Sequence, residues 1–257
     1  MSREKWRFID SGALPGAENM ALDEAILEAH IAGEAPTTLR VYSWRPSAVS
    51  LGRFQRVESA VDLHACRRLG VDVVRRPTGG RAILHTADEV TFSLVVSAAR
   101  LGAGGIMECY RTIAGGIITA LGLLGLEARL LERSSASASP AAARDPACFA
   151  VKARCDLVVG ARKLVGSAQV QRRGFLLQQN SLPLRLRLEE WNCVFLRPNA
   201  APAAVPLCEA AGREVTHAEV AEALRRGFGE CFSADLGTGV PSQRESARAA
   251  KLAAPPL

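Results

Sequence analysis

The sequence predicts an α+β fold, a single domain over 1–257 with a mixed, mostly antiparallel sheet flanked by helices. Three observations predict it. Helical and strand-like apolar patterns mix without a regular βαβ alternation, and strand-like runs follow one another at hairpin spacing, above all between 156 and 186. The composition is globular, 48% hydrophobic and 23% charged over 257 residues, with no internal repeat. A chain of this length buries roughly 70–75% of its unfolded surface and needs no disulfides to hold a core.

The elements follow in order. Ala21, Leu22, Ala25, Ile26 and Ala29 recur at helical spacing and predict a helix over 18–29, with Asp23, Glu24 and Glu28 on its outer side. Asp23 is expected to cap or pair within that helix, or to touch the site. Leu39 and Val41 alternate with Arg40 and Tyr42 in a strand, and Ala48 to Leu51 continue extended after Pro46. A helix over 57–68 ends at Gly70, a residue suited to the left-handed C-terminal position. Val71 to Arg76 lead into a Pro-Thr-Gly-Gly turn, and Val90 to Val96 form the next strand. Ile106 to Leu124 read as a glycine-tolerant helix and Ala128 to Leu131 as a strand.

The composition then shifts. Residues 133–147 hold four serines, two prolines and six alanines with no apolar period, a long loop. Strands resume at 156–159, 164–169 and 175–186, and an Ala/Pro linker spans 199–206. The C-terminal helical segment, about 207–250, contains Thr216-His217-Ala218-Glu219, a capping box for a helix through Phe228. From Ser246 onward a fraying helix or tail is expected. Trp6, Trp44 and Trp191 are expected to anchor the core.

Charge and cysteine usage narrow the function classes. Lys and Arg total 32 against 26 Asp and Glu, a formal net charge of +6 spread over short arginine pairs rather than a run. With 5% aromatic residues and no nucleic-acid motif, nucleic acid is disfavoured as a partner. Seven cysteines without a CxxC pair or a histidine cluster argue against a disulfide framework and a structural zinc site, and fit a reducing cytoplasm. The longest uncharged run, Thr112 to Leu126, has 15 residues and four glycines, too short and broken for a bilayer, and no secretory leader is visible.

Two segments carry chemistry. In Arg75-Arg76-Pro77-Thr78-Gly79-Gly80-Arg81-Ala82-Ile83-Leu84-His85, two arginines end a strand and two glycines let the backbone approach a ligand. Taken alone this is also ordinary turn chemistry. The second segment joins Cys148, at the end of the Ser/Ala loop, to a hairpin bearing Lys163. A cation beside a thiol favours the thiolate and so a nucleophile, although most cysteines are inert small hydrophobes.

These segments, with Asn19-Met20-Ala21-Leu22-Asp23-Glu24-Ala25, Ser50-Leu51-Gly52-Arg53-Phe54-Gln55, the Arg162 to Gln169 hairpin and Leu176-Leu177-Gln178-Gln179-Asn180-Ser181, resemble the lipoate-protein ligase and octanoyltransferase superfamily, which shares the biotin/lipoate ligase catalytic-domain fold. The blocks follow the family's order over roughly residues 5 to 235. Cys148-Phe149, 15 residues before Lys163, look most like the LipM-type octanoyltransferases. The resemblance implies that Cys148 is the acyl-thioester nucleophile and Lys163 its positive partner. It places Arg75, Arg76, Gly79, Gly80, Arg81 and His85, with Gly166, Ser167, Ala168 and Gln179, around an acyl tunnel. It implies transfer without ATP or metal from octanoyl-acyl carrier protein to a lysine of a lipoyl domain such as glycine-cleavage H protein. The six other cysteines are expected to be silent, and the Ser/Ala loop is either a lid or a tolerated insertion.

The sequence departs from the family at three places. Arg81 stands where the ligases carry a third glycine, Gln179-Asn180 stand where relatives have His-Gly, and Thr86 follows His85 in place of Asp. The alternatives are an ATP-dependent lipoate ligase, an amidotransferase between lipoyl-domain proteins, and an inactive scaffold. Biotin ligase is disfavoured because no Gly-Arg-Gly-Arg loop is present.

Overall fold

A computed structural model describes residues 3–102, 104–131, 147–150, 156–196, 204–253, 255 and 257. The Ser/Ala loop, apart from Ala147, lies outside the described residues, as do Cys155 and most of the Ala/Pro linker.

Eleven strands form two sheets among the described residues: β1 (Glu4–Leu14), β2 (Thr38–Trp44), β3 (Ala48–Leu51), β4 (Asp72–Arg75), β5 (Ile83–His85), β6 (Glu89–Ser97), β7 (Ala128–Leu130), β8 (Leu157–Val159), β9 (Arg162–Arg172), β10 (Phe175–Pro183) and β11 (Ala234–Thr238). The large sheet has the order β11-β1-β2-β6-β10-β9-β8-β7, and the small sheet β4-β3-β5. In the large sheet β1 runs parallel to β2 and β11, and the pairings from β2 to β7 are antiparallel, so the sheet is mixed and mostly antiparallel as expected.

Period-two alternation sends opposite residues of each strand into two layers. Phe92, Leu94 and Val96 of β6 face α3 (Ile106–Leu123) and a later helix, His217–Phe232, through Ile113, Ile117, Leu224 and Phe228. Val95, Leu177 and Ile9 face the opposite layer, α1 (Gly16–Ile31), through Leu22, Ile26 and Leu27. By length and composition α3 could cross a membrane, yet its apolar face is spent on this core. A third cluster, under the small sheet, gathers Val49, Leu51 and Ile83 with Phe149 and with Trp191 and Phe195. Trp6, Trp44 and Trp191 are all buried.

Some elements differ from the sequence expectation. The helix expected over 57–68 is a single 3₁₀ turn, Val57–Ser59, followed by α2 (Leu63–Leu69). Asp62 divides them, because its carboxylate caps the Ala65 N–H at 3.0 Å. Gly70 ends α2 in the left-handed region as expected, at φ 65. Two short helices, α4 (Leu188–Val194) and α5 (Leu207–Ala211), precede α6 (His217–Phe232), which starts at the expected Thr216–Glu219 capping box. The C-terminal tail is an ordered helix, α7 (Gln243–Leu252). Ser242 and Glu245 form its capping box, and Glu245 pairs with Arg7 of β1 at 2.5 Å with its side chain fully buried.

Candidate functional site

The small sheet and strands β9 and β10 of the large one close on a narrow cavity. Cys148 stands at its wall. It opens a 3₁₀ turn, Cys148–Ala150, tied to the glycine turn by its N–H, which donates to the Ala82 carbonyl at 2.8 Å, and by a parallel bridge between Ala82 and Ala147. The buried Phe149 roots this turn in the core under the small sheet.

Lys163 on β9 reaches the same sulfur. Its ammonium lies 3.4 Å from Cys148 Sγ, 3.3 Å from the Cys148 carbonyl and 3.0 Å from an Asp156 carboxylate oxygen, and the residue is only 1% exposed. Burial would push the ammonium down, but Cys148 and Asp156 together outweigh it and raise its pKa above the ordinary lysine value. A charged lysine therefore stands against the sulfur at neutral pH, the arrangement that favours a thiolate. Gly166, three residues on from the lysine, lies beside the sulfur: a methyl group there would make ordinary van der Waals contact with Sγ at 3.6 Å.

The glycine turn is set by close approach. Gly80 adopts φ 89, the left-handed region, and a side chain on Gly52 would place its first carbon 1.9 Å from the Gly80 carbonyl oxygen. Gly79 meets open space; its carbonyl accepts from Arg76 Nη2 at 2.6 Å. Arg76 is buried, and its guanidinium ties the Gly79, Arg81 and Ser50 carbonyls together. Arg75 turns away from the cavity and holds the carbonyls of Gly52, Arg53 and Gln55. Of Arg81, the backbone carbonyl is what meets Arg76, and its side chain is not on the cavity wall. His85 stacks on Trp44 at 4.0 Å, with Nε2 2.7 Å from Ser50 Oγ and Nδ1 2.7 Å from Glu89.

Ser167, Ala168 and Gln179 of β9 and β10 form the facing wall. Gln179 accepts from Thr78 Oγ1 at 2.8 Å and donates to Asp23 at 2.7 Å, so it bridges the glycine turn to α1. This corrects the placement of Asp23. It is fully buried rather than on the outer side of its helix, and its carboxylate accepts from Arg40, Tyr42, Ser93 and Gln179. These four donors, one of them the Arg40 guanidinium at 2.8 Å, compensate the buried charge. Burial first, then the Asp23 charge, holds the Tyr42 phenol well above its usual range.

Seven of the expected site residues thus line one cavity: Arg76, Gly80, His85, Cys148, Ser167, Ala168 and Gln179. Lys163 and Gly166 stand directly behind the sulfur. The sequence reading missed Ser50, Thr91, Asn180 and Asp156 as site residues, and Trp44, expected only as a core anchor, also forms cavity wall. Alternation along the strand could have exposed Ser50, a polar residue at an inward position between Val49 and Leu51. The wall's polar atoms mostly satisfy one another; among the described residues Ser181 Oγ is its buried side-chain oxygen without a partner. Such a wall presents few open hydrogen-bonding groups, which suits an aliphatic chain.

Among the described residues none of the other cysteines lines the cavity. Burial pushes the Cys66 thiol up to about 11 and raises those of Cys109 and Cys231. Among the described residues no group of three or more His, Cys, Asp or Glu side chains is placed to hold a metal.

Comparison with known proteins agrees with this fold. The family model described as the lipoyl protein ligase A/B catalytic domain matches residues 15–229. The octanoyltransferase LipM of Symbiobacterium thermophilum is 40% identical, covering 96% of this chain and 93% of its own. That of Geobacillus kaustophilus is 41% identical over 89% and 86%, and that of Bacillus subtilis 36% identical over 89% and 86%. Among solved structures, a lipoate-protein ligase A bound with ATP superposes with a TM-score of 0.80 at 26% identity, covering 98% of this chain and 94% of its own. A T. acidophilum homologue with bound lipoic acid gives 0.79 at 26% identity, covering 98% and 95%. By the extent of the family match and the identity to these relatives, the chain belongs to the lipoyl protein ligase A/B catalytic domain family.

Proposed function

We propose that the protein is a cytoplasmic octanoyltransferase of lipoate biosynthesis that carries the octanoyl group on Cys148. The observation that carries this reading is the Lys163 ammonium 3.4 Å from Cys148 Sγ at the wall of a largely self-satisfied cavity. The likeness to the LipM octanoyltransferases supports it.

In the first step the Cys148 thiolate attacks the thioester carbonyl of octanoyl-acyl carrier protein; the new C–S bond forms as the carrier's C–S bond breaks, and the carrier sulfur leaves as a thiolate that takes up the proton Cys148 had given to solvent. Thioester exchange is close to thermoneutral. In the second step a neutral lysine amine of a lipoyl domain, such as that of glycine-cleavage H protein, attacks the Cys148 thioester. The amide forms, the sulfur departs, and the amine's proton ends on the thiol. Lys163 holds positive charge beside the sulfur through both steps, and amide formation drives the sequence downhill. Neither step calls for ATP or a metal.

A transfer assay tests the reading. Purified protein is given octanoyl-acyl carrier protein and a lipoyl domain without ATP, and the acceptor's mass is followed. Octanoylation of the acceptor is the expected result. Transfer seen solely with free lipoate and ATP would instead indicate a ligase, and transfer solely from octanoylated H protein an amidotransferase.

A further inference from the structure

Arg76 is the one buried cation of the site, among the described residues, that holds no carboxylate. Lys163 is paired with Asp156 and Arg40 with Asp23. The Arg76 guanidinium donates from Nε to the Gly79 carbonyl at 3.2 Å, from Nη2 to the Gly79 and Arg81 carbonyls at 2.6 and 2.7 Å, and from Nη1 to the Ser50 carbonyl and hydroxyl at 2.8 and 3.1 Å. Those bonds engage all five of its N–H groups, and every acceptor is neutral. Nothing is left to donate to a substrate, so what Arg76 offers the cavity is charge.

A hydrogen-bonded chain fixes that charge in place. Arginine never accepts, so Ser50 Oγ accepts from Arg76, and it lies 2.7 Å from His85 Nε2. With the imidazole hydrogen on Nδ1, His85 accepts from Ser50 and donates to Glu89 at 2.7 Å, and Glu89 also receives the Thr91 hydroxyl. Glu89 is thereby kept two groups away from the guanidinium, where it steadies the chain without forming an ion pair with it.

Arg76 also shares its surroundings with the nucleophile candidate. Arg76 and Cys148 line the same cavity. They are tied to successive carbonyls of one turn, Arg76 Nη2 to that of Arg81 and the Cys148 N–H to that of Ala82. Burial pushes the guanidinium down to about 10, which leaves it charged at neutral pH, and Cys148 is the strongest of the groups that oppose this fall, ahead of Tyr110 and Tyr42.

We propose that Arg76 is a second fixed positive charge of the thioester centre, a positioning residue that favours the Cys148 thiolate through space while the Ser50–His85–Glu89 chain holds it. The proposal rests on the reading of Cys148 as nucleophile. It assigns Lys163 and Arg76 different parts: Lys163 touches the sulfur with its charge balanced by Asp156, and Arg76 supplies the unbalanced charge.

The test is alkylation of Cys148 in the full chain with iodoacetamide from about pH 5 to 9, read residue by residue by peptide mass spectrometry, with the exposed Cys193 as reference. The profile reads the groups that face the sulfur, namely Lys163, Asp156 and Arg76, with His85 and Glu89 behind. In Arg76→Met the rate at pH 7 is expected to fall about tenfold, with the midpoint of the profile moving one unit or so to higher pH. Arg76→Lys keeps part of the rate. An unchanged profile in a folded Arg76→Met protein overturns the proposal. A second variant decides the matter if that one does not fold: Lys163→Met with Asp156→Asn removes the balanced pair together. Cys148 is then expected to remain reactive at lower pH than Cys193, and a profile matching that of Cys193 overturns the proposal. Absence of an octanoyl adduct on the wild-type protein would refute the nucleophile reading and would leave these alkylation results standing.

Discussion

The large and small sheets meet at the cavity and hold their buried charges in different ways. On the large-sheet side each buried cation has an aspartate: Arg40 on β2 pairs with Asp23, and Lys163 on β9 with Asp156. On the small-sheet side Arg76 is held by carbonyls and one hydroxyl alone, with Glu89 kept beyond Ser50 and His85. A paired charge projects less potential into the cavity than an unpaired one, and under the proposed function that potential favours a thiolate and an anionic intermediate. The large sheet thus supplies the lysine at the sulfur and most of the cavity wall, and the small sheet supplies the unpaired charge and the turn that meets Cys148.

Breaking this comparison is expected to give effects of graded size. Removing the nucleophile by Cys148→Ala lowers transfer by about 10⁴-fold or more, measured as acceptor octanoylation per minute. Lys163→Met lowers transfer about 10²–10³-fold and also destabilises the protein, because the buried ion pair with Asp156 is broken. Adding Asp156→Asn restores stability in urea titrations without restoring transfer, which separates the placement role of the pair from the lysine's action on the sulfur.

Asp23→Asn strips the charge partner from the fully buried Arg40, and a loss of about 3–5 kcal/mol is expected in the same titrations. Gly52→Ala drives a methyl group into the Gly80 carbonyl. It costs about 1–3 kcal/mol and lowers transfer by moving the turn that Cys148 hangs from. The smallest effect lies far from the cavity. Burial works to raise the Glu245 carboxyl, but its bonds to Arg7 and Ser242 prevail and hold it below its ordinary 4.5. A depressed carboxyl stabilises above its unfolded value and loses that contribution as pH falls through the folded one. Hydrogen exchange across α7 is therefore expected to quicken below about pH 4.5 before the core does, and Glu245→Gln to abolish that dependence.

The parts of the molecule written in local signals were legible. The Thr216 capping box, the Gly70 stop, the β9–β10 hairpin and the Cys148–Lys163 pairing all follow from residues close in sequence or from a motif. The parts that depend on distant partners were not. Strand β1 breaks its own alternation at Ile9 and Asp10, next to a register shift, and pairs in parallel with strands that start at 38 and 234. Helix α7 reads as a polar tail because what orders it is Arg7. Asp23 defeated helical periodicity because α1 is buried nearly all round, so a carboxylate on the polar side of the wheel still lands in the interior. The Ser50–His85–Glu89 chain joins β3, β5 and β6, and no spacing within the sequence announces it.

The central claim is that Cys148 bears the acyl group between donor and acceptor. Its most direct test is to mix the protein with octanoyl-acyl carrier protein in the absence of acceptor, quench in acid, and map the adduct by peptide mass spectrometry before and after neutral hydroxylamine. One octanoyl group on Cys148 is expected, cleared by hydroxylamine and passed to a lipoyl domain when one is added. No adduct, an adduct on another residue, or full transfer by Cys148→Ala would contradict it.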